Sequence, residues 1–152
     1  MAKFKFKLDS VLKLREFKEK KVMNEIAEIV KQIEAVKTEI SDIHKAIDKG
    51  YQSQELLKDT EAKGQHLSFY PFFFKGKKEH LNNAESQLAA LNKKYHRKIE
   101  EYAEAKGEVK VIEKLKEKAH MEFKKEQEKR IEQNREEFVI TQMKRRSKEG
   151  LL

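Results

Sequence analysis

From Val22 onward the apolar residues fall at Val22, Ile26, Ile29, Ile33, Val36, Ile40, Ile43 and Ile47, in steps of four and three without a miss. Such steps put all of them on one stripe of an α-helix, and a stripe that repeats every seven residues is the seam of a coiled coil. Upstream the same phase gives Leu12 and Leu8 but also Glu19 and Arg15, while Phe4, Val11, Leu14 and Phe17 supply apolar surface from neighbouring positions. Downstream, Gly50 and Gln54 occupy the stripe before Leu57 restores it, so the helix is expected to continue but to be locally looser.

The second half repeats the pattern. Leu81, Ala84, Leu88, Leu91, Tyr95, Lys98, Tyr102, Ala105, Val109, Ile112, Lys116, Ala119 and Phe123 again alternate three and four. Lys98 and Lys116 interrupt the stripe, and each has an apolar neighbour, Ile99 and Leu115, able to cover the gap. Followed backwards, the phase reaches Phe74, Tyr70 and Leu67. Ser68 then suits an N-cap, Pro71 a first turn that needs no N–H, and Gly64 the stop of the preceding helix.

The expected fold is all-α, a long two-helix antiparallel coiled-coil hairpin forming one domain over 1–152. Helix 1 spans about 3–63, a turn about 64–68 and helix 2 about 69–145, each helix roughly 90 to 110 Å long at 1.5 Å per residue. A turn there makes residues whose numbers add to about 132 face one another. Ile47 then meets the Ala84 to Leu88 turn, Ile33 meets Ile99, Val22 meets Val109 and Leu12 meets Ala119, with about 133–152 left as a lone or frayed helix.

Composition narrows the classes. Of 152 residues, 41% are charged and 38% hydrophobic, with five glycines, one proline and no cysteine, too few apolar groups and too little loop punctuation for a compact interior. The regular spacing of the isoleucines and phenylalanines argues equally against a solvated coil. No run approaches the ~20 apolar residues of a membrane span, and the start MAKFKFKLDSVLKLR has no apolar signal region, which points to the cytosol. The histidines His44, His66, His80, His96 and His120 are scattered, with no pair at ligand spacing. No phosphate-binding loop and no acid/base pair stands out, so no catalytic residue, metal ligand or cofactor is expected, and no enzyme activity.

Charge changes the picture at one end. Residues 1 to 21 carry eight Lys/Arg against Asp9, Glu16 and Glu19, and the C-terminal KRRSK adds four more. An antiparallel hairpin brings these together at its open end, where they call for an acidic partner or merely solubilise the rod.

The opening Phe4-Lys5-Phe6-Lys7-Leu8-Asp9-Ser10-Val11-Leu12-Lys13-Leu14-Arg15 resembles the F-x-F-x-L-x-x-V-L-x-L-R start of the flagellar FliJ family, and Val111 to Leu115 through Phe123 is similar to that family's second helix. The Phe69-Tyr70-Pro71-Phe72-Phe73-Phe74 cluster departs from the family pattern. The resemblance implies a non-catalytic stalk-like protein of the flagellar type III export apparatus. Such a protein enters the hexameric export ATPase with its open end, promotes its assembly and activity, contacts the cytoplasmic domain of the export-gate membrane protein and escorts export chaperones. It would work in the cytoplasm, peripherally at the inner membrane. On that footing Phe4, Phe6, Lys13, Arg15, Lys18 and Lys20 are candidates for the ATPase contact, although the Arg15 stem could equally snorkel past the seam. Phe72 and Phe73 are candidates for the gate contact, or else fold back and cap the seam. The competing readings are a basic coiled-coil arm for nucleic acid and a generic holdase. Against the former, lysines alternate with glutamates and no recognition motif interleaves aromatics with them, so no nucleic-acid partner is expected.

Overall fold

A computed structural model describes residues 2–58 and 64–150. Two helices account for nearly all of them, α1 (Asp9–Lys58) and α2 (Gly64–Gly150). The chain forms two compact units, the first made of residues 1–18 and 105–152 and the second of 19–104. In each, a stretch of α1 packs antiparallel against a stretch of α2, the two-helix arrangement that the seam dictates.

In the first unit Leu12, Val109 and Ile112 form a buried cluster, with Phe6 and Val11 packed against it. In the second, Val36, Ile43 and Ala84 are buried together, flanked by Ile40, Ile47, Leu81, Leu88 and Leu91. Val22, Ile29 and Ile33 are also buried, as the uninterrupted stripe requires.

The register differs from the expected one. Asp9 faces Lys116 and Arg15 faces Glu108 in the first unit. Glu25 faces Lys98, Glu39 faces His80 and Tyr51 stacks on Phe74 in the second. Facing residues therefore add to about 123, a shift of about nine residues or two and a half turns from the expected about 132. The cause is the position of the connection. Because α1 ends at Lys58 and α2 begins at Gly64, the hairpin is centred about five residues earlier than a turn at 64–68 would place it. Leu12 consequently packs on Val109 and Ile112 rather than Ala119, and Ile99 is left exposed rather than covering Ile33. The continuation of helix 1 to about residue 63 lies outside the described residues, as do the side chain of His66 and the last two positions.

Both helix starts are corrected as well. The first helix begins at Asp9, not near residue 3, because Phe4 and Phe6 alternate with Lys3, Lys5 and Lys7: in an extended segment both rings face the same way, whereas in a helix they would diverge. A turn closes the segment, with the Asp9 N–H donating to the Phe6 carbonyl at 3.3 Å, and the Asp9 carboxylate then favours the helix N-terminus. The second helix already includes Gly64 to Ser68, so Ser68 is not its N-cap and Pro71 lies inside it. An internal proline removes one backbone hydrogen bond. Tyr70 and Phe74 stack on each other across this turn, and Phe74 stacks in addition on Tyr51 of α1. Pro71→Ala is therefore expected to raise the stability by about 1 to 3 kcal/mol, read as a higher thermal midpoint. A midpoint that stays put would mean that Pro71 stands in a first turn after all.

Lys98 and Lys116 are not covered by Ile99 and Leu115, which remain exposed. Each instead reaches an acid on α1. Lys98 Nζ lies 2.6 Å from Glu25 Oε2 and 3.0 Å from Glu101 Oε2, and Lys116 Nζ lies 3.4 Å from Asp9 Oδ1. The hydrogen bond to Lys98 holds the Glu25 carboxyl below the usual carboxylate range, and the bonds to Glu25 and Glu101 hold the Lys98 ammonium above the usual lysine value, so the pair is fully charged at neutral pH. Arg15 Nη1 donates to the Glu108 carbonyl at 3.2 Å, and the Tyr102 hydroxyl lies 3.5 Å from Glu19 Oε1. These polar residues of the stripe thus have partners on the opposite helix.

Candidate functional site

Because the seam positions of the first unit are satisfied internally, what it offers a partner is its outer surface. In the extended segment Phe4 packs edge-on against His120, with ring centres 5.0 Å apart, and against Phe123 at 5.5 Å, while Phe6 joins the Leu12 cluster. Both rings are half-buried, so Phe4 and Phe6 fasten the segment to α2. Lys3, Lys5 and Lys7, on the alternate positions, are exposed. The beginning of the chain is therefore a comb of three lysines held in place by two phenylalanines, a pattern legible in the period-two alternation once it is not forced into a helix.

The basic candidates divide. Lys13 is exposed beside Asp9 one turn back, at 3.6 Å. Lys18 is exposed and 3.9 Å from Glu108. Arg15 is half-buried and engaged by the Glu108 carbonyl, so its stem crosses the seam and its guanidinium is already used. Lys20 is exposed but belongs to the second unit. The charge itself is sharply partitioned. The first unit has 20 Lys/Arg against 12 Asp/Glu, the second 15 against 15, so the whole formal net charge of +8 resides in the first.

From Glu128 to Gly150 every residue of α2 is exposed, including Ile131, Phe138, Val139, Ile140 and Met143 just ahead of Lys144, Arg145, Arg146 and Lys148. The exposed stretch starts earlier than residue 133, as the shifted register demands.

The aromatic candidates of the second unit also divide. Phe72 is 77% exposed, whereas Phe73 is turned inward, stacked on Phe69, edge-on to Phe74 and lying against Gly50. A Cβ built on Gly50 would come within 2.7 Å of Phe73 Cε1 and 3.0 Å of Phe74 Cε1. Gly50 is thus a point of close approach, buried under two rings, rather than a loose spot in the seam. Gly50→Leu is expected to expel the Phe73 ring and cost about 2 to 3 kcal/mol, measurable by chemical denaturation; an unchanged midpoint would show that the rings do not rest there.

Among the described residues no helix is long and apolar enough to cross a membrane, and no group of three or more His, Cys, Asp or Glu is placed to hold a metal ion. The profile of the flagellar FliJ protein matches residues 4–148, almost the whole chain. The chain belongs to the FliJ family. It is accordingly a component of the flagellar protein-export apparatus. No curated protein and no solved structure is significantly similar to this FliJ-family chain. The match takes in Phe4 to Lys7 of the first unit and the aromatic cluster of the second.

Proposed function

We propose that this FliJ-family protein is a non-catalytic stalk of the export machinery. It docks its first unit into the hexameric flagellar export ATPase, promotes the assembly and activity of that ring, contacts the cytoplasmic domain of the export-gate membrane protein and escorts export chaperones. It acts in the cytoplasm at the inner membrane face. The observation that carries this reading is the partition of charge: one unit has a net +8 and the other a net zero, which supports attachment through the former to an acidic surface. Phe72 supports the gate contact, since a fully presented ring on a highly charged surface suits an anchor, whereas Phe73 serves packing.

The test is ATP hydrolysis by the purified hexamer with and without the full chain. Stimulation that weakens between low and physiological ionic strength is the expected result. Absence of stimulation at any salt, together with tight salt-dependent retention on RNA, would transfer the basic unit to nucleic acid. Phe72→Ser is expected to lower binding to the gate domain at least about tenfold while leaving ATPase stimulation intact.

A further inference from the structure

The first unit carries an apolar strip that neither the seam nor the lysine comb uses. Leu14 is 69% exposed, Val111 56% and Leu115 44%, and Val11 packs on the edge of the buried Leu12 cluster. Leu14 and Lys18 are one turn apart and share a face of α1. Glu108, Val111 and Leu115 are spaced three and four apart and share a face of α2. The Lys18–Glu108 ion pair places those two faces side by side, so Leu14 and Val11 border Val111 and Leu115 along one flank of the helix pair. The opposite flank is occupied differently: there Asp9 meets Lys116, and Phe4 lies over His120. The open flank is therefore a shallow apolar groove between two helices, bounded by paired residues at one end.

We propose that this groove is a docking site for an acidic amphipathic helix of another protein, which lies along Val11, Leu14, Val111 and Leu115 as a third strand. An apolar stripe between two antiparallel helices repeats the geometry by which the helices recognise each other, so a helix with matching three-four spacing fits it. The charge of the occupant follows from the rim. On α2, Lys118 continues the face of Val111 and Leu115 and Lys114 flanks it, whereas Lys13 stands with Asp9 on the opposite flank. Lys18 and Glu108 offset each other, leaving Glu122 as the acid further along the same face of a unit whose net charge is +8. A second copy of this chain is disfavoured by the same count, because pairing two such flanks would bring together two units of net +8. The site is independent of docking in the ATPase and would stand if that reading failed.

The experiment uses the full chain and a synthetic helical peptide of about three heptads with leucine at a and d and glutamate on both flanks, beside its lysine counterpart. Fluorescence anisotropy is expected to show salt-sensitive binding of the glutamate peptide only. The double variant Leu14→Gln/Val111→Gln is expected to weaken it at least about tenfold, and Leu56→Gln, an exposed leucine of the second unit, to leave it unchanged. Both side chains are exposed, and helix content measured by circular dichroism verifies that the double variant still folds. No binding of the glutamate peptide, equal binding of the lysine peptide, or indifference to the double variant would overturn the proposal. So would a dimer in sedimentation that Leu14→Gln/Val111→Gln dissociates, which would identify a second copy as the occupant.

Discussion

Replacing Ile33 with lysine is expected to lower the thermal midpoint of the protein by about 10 °C or more. Ile33 is 8% exposed and sits on the stripe between Ile29 and Val36, both buried. The substitution removes an apolar contact that typically contributes about 2 to 5 kcal/mol and asks the new ammonium either to lose its water or to push the helices apart. In proteins whose total stability is only about 5 to 15 kcal/mol, that is a large fraction. Val30→Lys provides the comparison, because Val30 is on an exposed face of the same turn and should tolerate the charge with little change. Melting both variants by circular dichroism decides the matter. Equal losses would show that burial along α1 does not follow the seam.

Reversal of Lys3, Lys5, Lys7 and Lys13 to glutamate is expected to reduce affinity for the export ATPase at least about tenfold without loss of helix content. Each reversal removes two units of charge, so the four take the first unit from a formal +8 to zero. These positions are exposed and outside the packing, and the one pair among them, Lys13 with Asp9, is a solvent-exposed contact within one helix that adds little to stability. Reversing Arg15 or Lys18 would instead set an acid beside Glu108 and confuse lost attraction with lost structure. The variant should also lose the salt dependence of binding, since the residual attraction would no longer be long-ranged. If it stimulates ATP hydrolysis as well as the unaltered protein does, the basic unit is not the docking element, and the exposed Phe72 becomes the better candidate.

The helical nature of the chain and its buried face were readable from spacing alone, because Val22 to Ile47 keep one phase and bury as that phase requires. Register was not. Periodicity is blind to where a hairpin turns, and Gly64, Ser68 and Pro71 have the chemistry of boundary residues although α2 runs through all three. Once the register is known, the acids that meet Lys98 and Lys116 become intelligible; without it Ile99 and Leu115 were the only neighbours in view. The basic character of the first unit could be counted from the sequence. That Phe4, Phe6 and Phe73 turn inward could not, since an aromatic side chain suits a partner and a neighbouring helix equally well.

Heptad seams made only of apolar side chains can slip, because one isoleucine fits a neighbouring hole nearly as well as its own. The polar residues set into this seam forbid that. Were the helices of the second unit to slide by one heptad in either direction, Lys98 would exchange Glu25 for Gln32 or for Lys18, and His80 would leave the Glu39 carboxylate that lies 2.6 Å from it. Individually such contacts add little to stability. Against a shearing force directed along the helices, however, they must break together, so the pair behaves as a toothed joint and passes an axial push or twist from one helix to the other instead of relaxing it by creep.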